Sequence, residues 1–112
     1  MARRSGSPSR TPEALEQALR DRVLEALPDV SEAPSRFGGG LAFRRGAREF
    51  AHFHPGGEVD IRLPRAAQRA LRGDPRAVPR PRASDWIAYR LDGPDAVEAA
   101  LALLRAAWAA AV

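Results

Sequence analysis

Apolar positions follow helical spacing at both ends of the chain and alternate at strand spacing in between. Thr11-Pro12-Glu13 reads as a helix start, with Thr11 able to cap, Pro12 suited to the first turn and Glu13 at the positive end of the dipole. Leu15, Leu19, Val23 and Leu27 then recur every fourth residue, Leu24 widens the stripe, Glu16 and Arg20 are spaced to pair, and Pro28 ends the helix. Residues 28–40 read as a connection ending in Phe37-Gly38-Gly39-Gly40. Three strands follow, over 41–44, 48–54 and 58–63, with turns at Arg45-Gly46 and Pro55-Gly56-Gly57. A short helix from Pro64 to Arg72, an extended loop over 74–84 and a fourth strand from Asp85 to Leu91 come next. Asp92-Gly93-Pro94-Asp95 opens a last helix whose core stripe is Val97, Leu101, Leu104 and Trp108. The order α-β-β-β-α-β-α predicts an α+β fold, a three-strand meander plus a fourth strand, with helices mainly on one face. Residues 1–10, rich in Arg, Ser and Pro, read as a disordered tail, and 11–112 as a single domain.

The second hairpin makes the sharpest prediction. A three-residue loop at 55–57 sets His54 opposite Glu58, Phe53 opposite Val59, His52 opposite Asp60 and Ala51 opposite Ile61. This register collects Phe53, Val59, Ile61 and Leu63 on one face, and a slip of one residue would scatter them. The other face carries His52, His54, Glu58 and Asp60. With Arg45-Gly46 as the first turn, Leu41 faces Phe50, and Leu41, Phe43 and Phe50 join the histidine face. Such a face, part aromatic and part titratable, resembles the floor of a small-molecule pocket.

Directly opposed Cβ atoms lie ~5 Å apart, within reach of a histidine–carboxylate hydrogen bond. That contact fixes which ring nitrogen carries the proton, as a general base requires. A His-x-His pair on a strand with Asp60 or Glu58 can also ligate a metal, and the same patch is equally readable as a solvated polar face. No serine sits in a nucleophile-elbow context.

Composition narrows the classes. Cysteine is absent, which excludes disulfides, thiolate metal sites and cysteine nucleophiles. No apolar run approaches the length of a membrane span or a secretory signal, so a cytoplasmic location is the default expectation. The net charge is +4, carried entirely by arginine on the basic side. Arg62 to Arg82 holds seven arginines against one aspartate, whereas Glu13 to Glu32 holds six acids against two arginines. The basic stretch admits an acidic partner or nucleic acid as an alternative to ordinary surface.

Taken together, Arg36-Phe37-Gly38-Gly39, Phe43, Gly46, Arg48-Glu49, His52-x-His54, Val59-Asp60-Ile61, Pro64-Arg65, Ser84-x-Trp86 and Leu103-Leu104-Arg105 resemble the luciferase-domain family over roughly residues 14–108. The family takes its name from the fungal luciferases, and the resemblance implies oxygen-dependent oxidation of a hydroxypyrone with no metal or organic cofactor. Carried over by position, Arg36, His52, His54, Asp60 and Trp86 become the site candidates. Where the family often has a His-His pair, this chain has Val78-Pro79. A weaker likeness is to the MmcQ-like double-wing family, for which DNA binding has been suggested. The expectation is a cofactor-free domain binding a small aromatic or anionic molecule, with no metal. His52 acts as base, oriented by Asp60 and accompanied by His54. Arg36 or Arg44 binds an anionic oxygen, Phe50 lines the face and Trp86 forms a wall.

Overall fold

The computed structural model describes residues 11–38, 40–80 and 84–111; the segment expected as a tail, 1–10, lies outside them. In chain order the elements are α1 (Pro12–Ala26), β1 (Val30–Pro34), β2 (Leu41–Arg45), β3 (Arg48–His54), β4 (Glu58–Arg62), α2 (Arg65–Arg69), β5 (Ala77–Pro79), β6 (Trp86–Arg90) and α3 (Pro94–Ala110). All strands pair antiparallel in one sheet of order β1-β2-β3-β4-β6-β5. The predicted α+β class and meander are present. The two edge strands, β1 and β5, form where the sequence pattern predicts connections. Both are short and half-exposed, and each contains a proline, so neither carries the alternation that marks a central strand.

Helices α1 and α3 cover one sheet face. Thr11 caps α1 through its hydroxyl oxygen, which accepts from the Ala14 amide at 3.2 Å, and Leu15, Leu19, Val23 and Leu27 are buried. Leu24 does not widen the stripe and stays exposed. Arg20 turns from Glu16 to grip Glu32 of β1 at 2.9 and 3.2 Å. Along α3, Ala96, Ala100 and Ala107 are buried with Val97, Leu101 and Leu104, so small residues let the helix lie close over β3 and β4. Trp108 is half-buried and acts as a tie. Its indole N–H donates to the Pro28 carbonyl at 2.9 Å, and the Arg45 guanidinium sits 4.1 Å above the ring.

The register of β3 on β4 matches the hairpin arithmetic: Ala51↔Ile61, His52↔Asp60, Phe53↔Val59 and His54↔Glu58. The register of β2 on β3 does not. Arg45 faces Arg48, so Gly46 and Ala47 make the turn, with Gly46 at φ 63°, a left-handed value that glycine adopts without strain. Arg44 then faces Glu49 while Phe43 faces Ala51, leaving Phe50 as an extra residue. This β-bulge turns Phe50 away from the histidine face. Phe50 is fully buried with Phe43, their rings 6.3 Å apart, and Phe43 meets Phe53 at 5.5 Å. Leu41, Phe43 and Phe50 thus belong to the helix side, contrary to the expectation from a turn at Arg45-Gly46.

Candidate functional site

Across the face remote from the helices, one row of residues runs Ala42, His52, Asp60, Ala88 and Val78. Alanines flank the polar pair on both sides, so longer side chains can reach it from other rows. Asp60 is the hub and is buried, at 5% exposure. Its Oδ2 lies 2.8 Å from His54 Nε2 and 3.2 Å from His52 Nε2, and Arg80 Nη2 donates to Oδ1 and Oδ2 at 2.6 and 2.7 Å. Burial disfavours the carboxylate, but hydrogen bonds from His52, His54 and Arg80 outweigh it and hold Asp60 down to about 2. Asp60 is therefore an anion at neutral pH, with the Nε2 atoms of both histidines turned toward it.

The two histidines occupy different environments. His52 is buried, and its Nδ1 lies 2.9 Å from Glu49 Oε2, with the carboxylate out of line for a well-formed hydrogen bond. Glu49 is fixed in turn, accepting from the Ser35 hydroxyl at 2.8 Å and the Arg36 amide at 3.0 Å. His52 is thus a bridge between two buried carboxylates. His54 is half-exposed, its Nε2 committed to Asp60 and its other ring edge free to meet a ligand. The diagonal His54–Asp60 contact is shorter than the direct cross-strand one, an outcome that pairing alone does not reveal.

Aromatic rings wall the cluster. Trp86 and Phe37 lie 5.0 and 5.6 Å from the His52 ring and meet each other edge to face at 5.7 Å. Phe37 is held by its loop. A Cβ on Gly40 would stand 2.9 Å from the Phe53 carbonyl oxygen, so only glycine lets the 35–40 loop run this close to β3. Phe37, His52, His54, Asp60, Arg80 and Trp86 enclose an open cleft of about 390 Å³.

Of the residues singled out from the sequence, His52, His54, Asp60 and Trp86 converge here. Phe50 does not, because the bulge sends it into the core. Arg44 lies opposite Glu49, half-buried, with its Nε lacking a hydrogen-bond partner, and does not line the cleft. Arg36 lines the neighbouring groove. Glu58 lies opposite His54 but is not among the residues lining the cleft. Three site residues were not foreseen as such: Arg80, Glu49 and Phe37. Phe37 carries a signal as an aromatic beside a glycine run and Glu49 as part of the family-like Arg48-Glu49, whereas Arg80 carries none.

The donor atoms of His52, His54 and Asp60 lie within 4.8 Å of one another, a spacing that suits a divalent metal. The Arg80 guanidinium already places a cation against Asp60, 3.4 Å from His54 Nε2.

A sequence profile of the Luciferase domain family matches residues 47–107. The chain belongs to the luciferase-domain family. No curated protein and no solved structure matches it. The luciferase-domain match takes in His52, His54, Asp60, Arg80 and Trp86, and leaves α1, β1, β2 and Phe37 outside it.

Proposed function

We propose that this luciferase domain binds a small planar molecule with an acidic hydroxyl, phenolic or enolic, in the histidine cleft against the Phe37 and Trp86 rings, and takes up its proton on His54. The observation that carries this reading is the asymmetry of the two histidines around one ionised carboxylate. Asp60 holds the His54 Nε2–H, which leaves Nδ1 as the basic edge of a half-exposed ring. His52, buried between Glu49 and Asp60, orients the cluster rather than meeting the ligand. The base role, assigned from the sequence to His52, therefore passes to His54. Arg80 has the fork geometry to stabilise the oxyanion that proton removal creates. An ionised hydroxypyrone, the substrate type implied by the family's fungal namesakes, fits this chemistry and needs no cofactor for the proton step.

The alternative of a continuous basic face over 62–82 is weakened by pairing. Arg80 is held by Asp60, and Arg76 bridges Asp92 and Asp95 at 2.7 and 2.8 Å.

Umbelliferone, a planar hydroxycoumarin whose fluorescence excitation distinguishes phenol from phenolate, tests the proposal. Binding is expected to raise the phenolate fraction at fixed pH, and His54→Gln and Arg80→Gln to abolish that rise. Binding with no change in ionisation, or a rise that survives His54→Gln, would refute the base assignment.

A further inference from the structure

Beside the histidine cleft, and sharing Phe37 and Trp86 with it, lies a second groove of about 530 Å³. Four arginines line it: Arg36, Arg45, Arg48 and Arg62. Its single carboxylate, Glu49, is already engaged by Ser35, the Arg36 amide and His52. Four arginines outside the groove are neutralised: Arg20 by Glu32, Arg22 by Glu98, Arg76 by Asp92 and Asp95, Arg80 by Asp60. Arg36, Arg48 and Arg62 have no carboxylate within ion-pair distance among the described residues, and unlike other unpaired arginines they converge on one groove. Arg45 is tied to the Trp108 carbonyl at 2.8 Å, which leaves its charge uncompensated. Arg62 is the cross-strand partner of Trp86, so the basic groove begins at the wall of the cleft.

Resting on the proposed cleft function, we infer that the ligand is bipartite. A planar hydroxylated head lies in the histidine cleft, and an anionic tail, carboxylate or phosphate, passes the Phe37–Trp86 ridge to lie among Arg36, Arg48 and Arg62. Guanidinium forks recognise either anion through paired N–H donors. Their concentration in one groove sets a charge requirement that a neutral head alone does not meet. The ridge sets the shape: the tail must leave the ring on the side away from the hydroxyl that faces His54.

Umbelliferone and its acetic-acid derivative share ring and hydroxyl and differ in the tail. Titrated into the intact protein by calorimetry, the acid is expected to bind about tenfold tighter than umbelliferone, the gain of roughly one charge-assisted contact. In Arg48→Gln/Arg62→Gln, at one exposed and one half-buried position, that advantage should fall to near parity while umbelliferone affinity stays unchanged. Inorganic phosphate and acetate then serve as competitors of the acid. Stronger competition by phosphate assigns a phosphate tail and stronger competition by acetate a carboxylate tail, and either supports the inference. Equal affinity of the two coumarins in the wild-type protein overturns the bipartite ligand and leaves the histidine cleft standing. Failure of both to bind overturns the two together. Tighter binding of a duplex oligonucleotide than of the acid, lost in the same double variant, overturns the small-molecule tail in favour of nucleic acid.

Discussion

Asp60→Asn isolates the charge on which the site is built. The carboxyl falls from an ordinary value of 3.8 to about 2 in the folded protein, because hydrogen bonds from His52, His54 and Arg80 overcome the opposing effect of burial. A depressed acid stabilises the fold above its unfolded value and loses that contribution as pH falls through its folded value. The window is therefore pH 4 down to 2, and at about 1.36 kcal/mol per pH unit the contribution is about 2 kcal/mol. Other acids titrate nearby: the Arg76 hydrogen bond lowers Asp95 and the Arg22 hydrogen bond lowers Glu98. Both are present in wild type and variant alike, so the difference between the two proteins reports Asp60. Urea unfolding at neutral pH should show the variant weaker by about 2 kcal/mol, or roughly 10 °C in melting temperature for a domain of this size. The gap should close between pH 4 and pH 2 as wild-type Asp60 is protonated. A gap that persists unchanged at pH 2 would show that the loss comes from packing and not from charge, and would remove Asp60 as the electrostatic hub.

His52→Ala should cost about 3 kcal/mol in urea unfolding, since it leaves Glu49 and Asp60 buried without the ring between them. His54→Gln should cost less than about 1 kcal/mol, its ring being half-exposed, yet abolish the umbelliferone ionisation change. Phe50→Ala should cost about 4 kcal/mol by chemical denaturation, as a fully buried aromatic does. Phe37→Ala should move stability by no more than about 0.5 kcal/mol. It should weaken umbelliferone binding about fivefold, the loss of one ring contact. Tyr89→Phe removes the hydroxyl that donates to Asp74 at 2.9 Å and should lower the melting midpoint by the equivalent of about 1 kcal/mol.

How much of this fold is legible in the sequence depends on how strongly each register is over-determined. The β3–β4 pairing can be read from residue types alone, because four apolar residues must share a face and the glycine-containing loop leaves one alignment that does so. The helices are legible for a similar reason, through Leu15, Leu19 and Val23 in α1 and Val97, Leu101 and Leu104 in α3. Edge strands β1 and β5 are not. Each has one hydrogen-bonded neighbour, so its residues are half-exposed and lack a two-residue period. Arg80 is illegible for the same reason, since it follows directly after β5 and is carried by that strand to Asp60.

The bulge at Phe50 explains the remainder, and it links the core to the site. A regular β3 would alternate without interruption, with Phe50, His52 and His54 on one face and Glu49 on the other. One extra residue breaks that parity between Phe50 and Ala51. Phe50 goes to the helix side, where it stacks on Phe43, and Glu49 comes round to the histidine side, within 2.9 Å of His52 Nδ1. The same irregularity thus fills the core with an aromatic and supplies the second carboxylate that immobilises His52. With His52 held between Glu49 and Asp60, Asp60 is left to orient His54, and the half-exposed histidine becomes the chemically available one. No periodicity reports this, since a bulge is invisible to a pattern that assumes a constant period of two. Deleting Phe50 should therefore separate the two roles of the bulge. It should empty the stack on Phe43 and cost stability by urea unfolding, while Arg44 opposite Glu49 and Phe43 opposite Ala51 join into a regular register that keeps Glu49 on the histidine side, so that the His52 and His54 contacts survive.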